Sequence, residues 1–203
     1  DEAAGWDDLL VALGDENPED FLKVFWTSRY GVIQKSQIFR GVKAQYESVD
    51  DVRRLLAELR EDANILAAIG DDDHPYWERF SPEIRDQVFL LRSLDSKQAR
   101  PLLISLLRDT SRNDFIVTAI HLVAVAIVRF QVIGRGRTGV VEKVFGRLCQ
   151  AIASNPSLTA EDFKRGLSEL LTDDATFVEE FKRHEDKKYS RLAYLLASDI
   201  AFQ

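Results

Sequence analysis

Twice in this chain a capping residue, a proline and an acid stand directly ahead of an apolar stripe at helical spacing. Asn17-Pro18-Glu19-Asp20 precedes Phe21, Leu22, Phe25 and Trp26, with Gly31 as the natural stop, and Ser81-Pro82-Glu83 precedes Ile84, Val88 and Leu91. The cap side chain accepts a hydrogen bond from a free amide of the first turn. The proline fills a position whose N–H has no helical partner, and the acids face the positive end of the helix dipole. Punctuation of this kind commits a chain to helices.

The other segments carry the same period. Ser48 precedes a long amphipathic stretch with Val52, Leu55, Leu56, Leu59, Ala63 and Leu66 on one face, stopped by Gly70 and the acidic turn 71–73. Pro101 falls early in a helix carrying Leu102, Leu103, Leu106 and Leu107, and Thr159-Ala160-Glu161-Asp162 opens one with Phe163, Leu167, Leu170 and Leu171. Phe177 and Phe181 mark a short helix, and Tyr189, Leu192, Ala193, Leu196 and Ile200 a last one. Residues 115–128 are ambiguous, because Ile116, Val117, Ile120, Val123, Val125, Ile127 and Val128 also suit a strand. Length decides for a buried helix, since a lone strand in a helical chain leaves its backbone groups unpaired. The expectation is one all-α domain over residues 1–203, a multi-helix bundle of about nine to eleven helices.

Of 203 residues, 45% are hydrophobic, including 12 Phe, which is ample for a buried core. The charge balance is acidic: net −7, a sequence pI near 5.1, and eight acids without a Lys or Arg in the first 20 residues. Generic coating of nucleic acid or acidic membrane is therefore disfavoured, and any phosphate contact has to be local. A single cysteine, Cys149, excludes an internal disulfide, and no secretory pattern opens the chain, so a reducing cytoplasm is expected. The run 115–128 is shorter than the ~20 residues of a spanning helix, and no membrane anchor is expected. Methionine is absent, even at position 1, which implies either a fragment of a larger protein or a sequence from which modified methionines have dropped out.

Three histidines, His74, His121 and His184, stand far apart without metal-ligand spacing. His121, on the apolar helix, is expected as a hydrogen-bonded core residue and Cys149 as a packed side chain. Asp71, Asp72 and Asp73 lack the alternation of a calcium loop and read as a solvated helix terminus. No phosphate-loop motif is present. The exception to the acidic trend is residues 129–147, which hold five basic residues and one acid. A Gly134-Arg135-Gly136-Arg137 loop leads to Thr138 as expected N-cap and to a helix with Val141, Val144, Phe145, Leu148 and Ile152 on its stripe. Arg135 and Arg137 on a glycine-flexible turn, with Lys143 and Arg147 on the polar side of that helix, can clamp a phosphate together with the helix amides at Thr138. The same residues can instead pair with acids of neighbouring helices or simply keep the loop wet, as runs of charge usually do.

Several stretches together resemble the helical middle region of GmrSD-like, modification-dependent restriction endonucleases. They are Phe21-Leu22, Phe25-Trp26-Thr27-Ser28-Arg29-Tyr30-Gly31, Ile38-Phe39-Arg40, Gln98-Ala99-Arg100-Pro101-Leu102-Leu103, Arg129-Phe130, Gly136-Arg137-Thr138-Gly139, Glu142-Lys143 and Arg191-Leu192-Ala193-Tyr194-Leu195-Leu196. Such proteins carry an N-terminal ParB/sulfiredoxin-like NTPase domain with an Asp-Gly-Gln-Gln-Arg motif and a C-terminal HNH-type nuclease domain. Neither motif occurs here, so the resemblance implies no catalytic, cofactor or metal residue for this chain. It implies a non-catalytic scaffold that couples a nucleotide-dependent sensor to a DNA nuclease in phage defence. Nucleotide and divalent metal would belong to the flanking domains, which would be its partners, with the DNA backbone as a further contact.

A reading of another class is a stand-alone helical module that binds a protein through an exposed aromatic patch of Tyr76, Trp77 and Phe80, although core packing is the favoured role for those rings. An autonomous enzyme ranks last, because no base, nucleophile and orienting group cluster recognisably.

Overall fold

The computed structural model describes residues 16–183 together with Leu9, Val11, Leu13 and Gly14. Within them lie nine α-helices and no strand: α1 Pro18–Tyr30, α2 Ile38–Gln45, α3 Val49–Gly70, α4 Pro82–Ser93, α5 Arg100–Leu107, α6 Asn113–Ile127, α7 Thr138–Ser154, α8 Ala160–Gly166 and α9 Asp174–Arg183. Short 3₁₀ stretches at Lys35–Gln37, Pro75–Arg79, Lys97–Ala99 and Ser168–Leu170 join them, and a π-helical turn, Val128–Ile133, extends α6. The chain is all-α, as its periodicity requires. The helix expected at 189–200, His184 and the closing stretch 191–196 lie outside the described residues.

Most of the sequence caps act as caps. The Asn17 carboxamide accepts from the amides of Glu19 (2.9 Å) and Asp20 (3.1 Å). Ser48 and Asp51 form a reciprocal capping box, and Thr159 accepts from the Asp162 amide at 3.1 Å. Ser81 stands at the start of α4 but its side chain makes no capping hydrogen bond, and Thr138 also differs from expectation. Arg137, extended at φ −72° and ψ 132°, is the last non-helical residue, so Thr138 is already inside α7 and its hydroxyl caps nothing. The helix opened by Thr159 is also shorter than its apolar pattern. It ends at Gly166 and resumes as the Ser168–Leu170 turn, which keeps Phe163, Leu167 and Leu170 buried.

Pro101 to Leu107 of α5 are buried without interruption, and a helix apolar on all sides belongs at the centre of a bundle. It packs against α1 and α7, which also pack on each other, while α3 covers it from a further side. On the other flank α6 lies between α4 and α8. The ambiguous segment is helical, but longer than its apolar run suggested. With the π turn it forms a continuous helix, Asn113–Ile133, of 21 residues, long and apolar enough by length and composition to cross a membrane. In this structure 56% of its most apolar window is buried inside the bundle, which accounts for its composition as core packing.

Tyr76, Trp77 and Phe80 are part of that core, at 4%, 7% and 8% exposure. The Trp77 indole N–H donates to the carbonyls of Ala68 (3.1 Å) and Asp71 (2.9 Å), satisfying the C-terminal end of α3. The Tyr76 hydroxyl donates to the Leu107 carbonyl at 2.7 Å. The three rings thus take the core-packing role favoured for them, and do not form the exposed patch of the alternative reading.

Candidate functional site

The basic loop is built by the π turn before it. In a π turn the chain carries one more residue per hydrogen-bonded ring than an α-helix, a rare geometry that recurs where a helix must redirect. Here the redirected chain folds back on the turn: the Gly134 amide donates to the Arg129 carbonyl at 3.0 Å and the Gly136 amide to the Phe130 carbonyl at 2.7 Å. Both glycines are required by close approach. A Cβ on Gly134 would stand 2.8 Å from the Arg129 carbonyl oxygen, and one on Gly136 would stand 2.2 Å from the Phe130 ring. Arg135 between them adopts φ +50°, the left-handed region that a side chain rarely enters. The expected flexible turn is thus a locked one.

This backbone holds Arg135 and Arg137 outward. Both are exposed, and neither side chain forms a hydrogen bond or an ion pair with any described residue. The side chain of Lys143, in the second turn of α7, is exposed and equally without a described partner. Arg147 is different: it donates to Glu169 Oε2 at 2.7 Å, as the structural alternative for these residues requires. Arg129 is taken too. It donates to the Thr172 carbonyl at 2.7 Å and to Asp174 Oδ1 at 2.5 Å and lies over the Phe177 ring, tying the π turn to α9.

Thr138 faces elsewhere. It lines a cleft of about 350 Å³ with the acids Glu16, Asp20 and Glu142 and the bases Lys23, Lys97 and Arg100, and none of the four basic candidates lines it. Two of those bases are already matched, Lys23 by Glu142 and Arg100 by Glu16 at 2.9 Å. The five residues expected as a phosphate clamp are therefore not one constellation. What remains is a pair of outward arginines, with Lys143 on the helix that follows.

A denser electrostatic cluster lies inside the bundle, where sequence reasoning did not place one. Asp62 of α3 is fully buried, and Arg108, just beyond α5, donates to its two oxygens from Nε (2.9 Å) and Nη2 (2.7 Å). Arg108 also donates to the Ser28 carbonyl at 3.2 Å. Arg29 of α1 donates to the same carboxylate, stacks over the Phe25 ring, and sets its Nε 3.3 Å from Glu58. Tyr46 completes the cluster, donating to Glu58 at 2.6 Å while its oxygen lies 2.9 Å from that of Tyr30. Burial, and then the bond to Glu58, push the Tyr46 phenol well above its ordinary range. With Arg54, whose Nε lies 3.8 Å from Glu58, three cations meet two carboxylates, and both oxygens of the fully buried Asp62 are engaged. The cluster welds α1, α3 and the end of α5 together and offers no free group for chemistry. Its signal was in the sequence: Asp62 stands on the apolar stripe of α3 with Leu59, Ala63 and Leu66, where an acid has to be paired.

The remaining candidates take structural places. Burial pushes the Cys149 thiol up to about 12, which removes the thiolate a nucleophile needs. His74 Nδ1 accepts from the Tyr76 amide at 3.2 Å. His121 is only half-buried, and no described residue hydrogen-bonds to its ring, unlike the bonded core histidine expected from its apolar helix. Side chains that face partly outward leave a ring nitrogen to solvent. In the turn 71–73, Asp72 pairs with Arg92 at 2.9 Å and Asp71 accepts from the Asp73 amide at 3.1 Å. Among the described residues no His, Cys, Asp and Glu side chains gather in a metal-binding group. No family model, curated protein or solved structure matches this chain.

Proposed function

We propose that this chain is a non-catalytic helical scaffold of a GmrSD-like anti-phage restriction endonuclease, coupling a nucleotide-dependent sensor to a DNA nuclease, and that Arg135 and Arg137 touch the DNA backbone. The observation that supports the contact is the locked loop. In a chain of net charge −7, it holds two guanidinium groups outward without an acid, and a guanidinium pairs bidentately with a phosphate. The buried cluster around Asp62 supports the coupling role, since helices joined by charge-assisted bonds as well as packing move as a rigid body. The resemblance in sequence supplies the family.

The test is duplex DNA affinity measured against salt for the wild type and the Arg135→Ala/Arg137→Ala variant. Two lost phosphate contacts should weaken binding and flatten the log–log salt slope by about two. Equal affinity and slope in the two proteins would remove the contact. The coupling role fails separately, if separate sensor and nuclease fragments keep nucleotide-regulated cleavage without this region.

A further inference from the structure

Between Asp20 and Glu47 the sequence contains no acid, while Lys23, Arg29, Lys35, Arg40 and Lys43 supply five cations. Three of these are matched from elsewhere: Lys23 by Glu142, Arg29 by Asp62 and Glu58, and Lys35 by Asp20 at 2.8 Å and Glu19 at 3.3 Å. The side chains of Arg40 and Lys43 are exposed and make no hydrogen bond or ion pair with any described residue. Both belong to α2, whose seating is well defined. Ile38 is buried at 3% exposure, Gly41 sits so close to Trp26 that a Cβ would come within 2.8 Å of the indole, and Tyr46 is buried just beyond the last turn.

At about 100° per residue, Phe39, Lys43 and Arg40 then share an arc of roughly 100° on the side turned away from that seat. Phe39 is 78% exposed, more than any other phenylalanine among the described residues. A large aromatic on the outward side of a short helix, flanked by two unmatched cations, is a pairing of π face with positive charge. We infer that α2 is a contact for single-stranded nucleic acid, in which Phe39 stacks on an unpaired base while Arg40 and Lys43 hold adjoining phosphates. A nucleotide offers both a flat ring and an anion, whereas a duplex hides its base faces.

Other occupants fit less well. Anionic bilayers are recognised by clusters of about four to eight cations, and α2 has two unmatched ones. A second copy seated symmetrically on α2 would bring the same two cations against their own mates. The inference goes beyond the loop at residues 134–137 and stands or falls apart from it.

Anisotropy of labelled oligothymidine and of a labelled duplex, each with the purified full chain, tests it. Phe39→Ala should weaken oligothymidine binding about tenfold and leave the duplex unaffected, while Phe39→Trp should retain both. Arg40→Ala/Lys43→Ala should weaken oligothymidine binding and flatten its salt dependence. Arg135→Ala/Arg137→Ala, in contrast, should act on the duplex. Unchanged oligothymidine affinity in a normally helical Phe39→Ala protein overturns the inference, as does absence of oligothymidine binding by the wild type. Self-association that Phe39→Ala abolishes, without any change in oligothymidine affinity, would assign the face to a second copy instead. Binding to phosphatidylserine vesicles but not to oligothymidine would assign it to a membrane surface.

Discussion

Asp62 shows how much a single buried charge depends on its surroundings. Its carboxylate is shut off from bulk solvent, and its hydrogen bonds come from Arg108, Arg29 and Ser28. Asp62→Ala leaves two guanidinium groups at 12% and 19% side-chain exposure facing an empty space. The expected cost is about 3 kcal/mol in chemical denaturation, with Asp62→Asn in between because it keeps an acceptor. Cys149 makes the corresponding argument for a neutral group. Its thiol ionises near 9 in the unfolded chain and at about 12 in the folded one, so between those values the unfolded state releases a proton that the folded state retains. The contribution of the thiol to stability is therefore full below pH 9 and falls as the pH rises towards 12, with Tyr76, whose phenol burial pushes up to about 12, adding to the loss at the upper end. Urea titrations over that range should show a shallower decline for Cys149→Ala than for the wild type.

At the scale of the element, glycines that look alike in sequence have opposite roles. Gly136 lies under the Phe130 ring, and Gly136→Ala should cost about 1–3 kcal/mol through overpacking. Gly139, in the first turn of α7, has nothing within 4 Å of a built Cβ, so Gly139→Ala should stabilise by about 0.5 kcal/mol. Thermal melts of the two variants should move in opposite directions. Element starts were legible because caps are local chemistry: Asn17, Ser48 and Thr159 bond amides two or three residues away. The start of α7 was legible only to within one residue, because a long-range fold-back, Gly136 onto Phe130, decides where the helix begins. For the same reason the loop read as flexible in sequence and is locked in structure. The left-handed Arg135 carries no mark in the sequence beyond its two glycine neighbours.

Across the whole molecule, periodicity revealed which residues are buried but not which helix is central. Leu102, Leu103, Leu106 and Leu107 were visible as one stripe, whereas the burial of Ile104 and Ser105 as well makes α5 the axis of the bundle. Amides of α5 should accordingly exchange with solvent only through global unfolding, the slowest in the chain, while those of α2 and α9 exchange through local opening. Hydrogen-exchange mass spectrometry checks that ranking. The electrostatic layout was half legible: the basic run 129–147 was visible, but Arg129 and Arg147 turn to Asp174 and Glu169, acids brought near only by folding. Folding order matters most for the long apolar helix Asn113–Ile133. As the nascent chain leaves the ribosome, α4 has been made but α8 has not, and these are the helices that sandwich α6. For the interval in which the 33 residues from Gly134 to Gly166 are still to be synthesised, this segment has the length and greasiness of a signal anchor. Its fate in the cell is then a race between docking onto its neighbours and capture by the targeting machinery, a race decided by how quickly the helices on either side close over it.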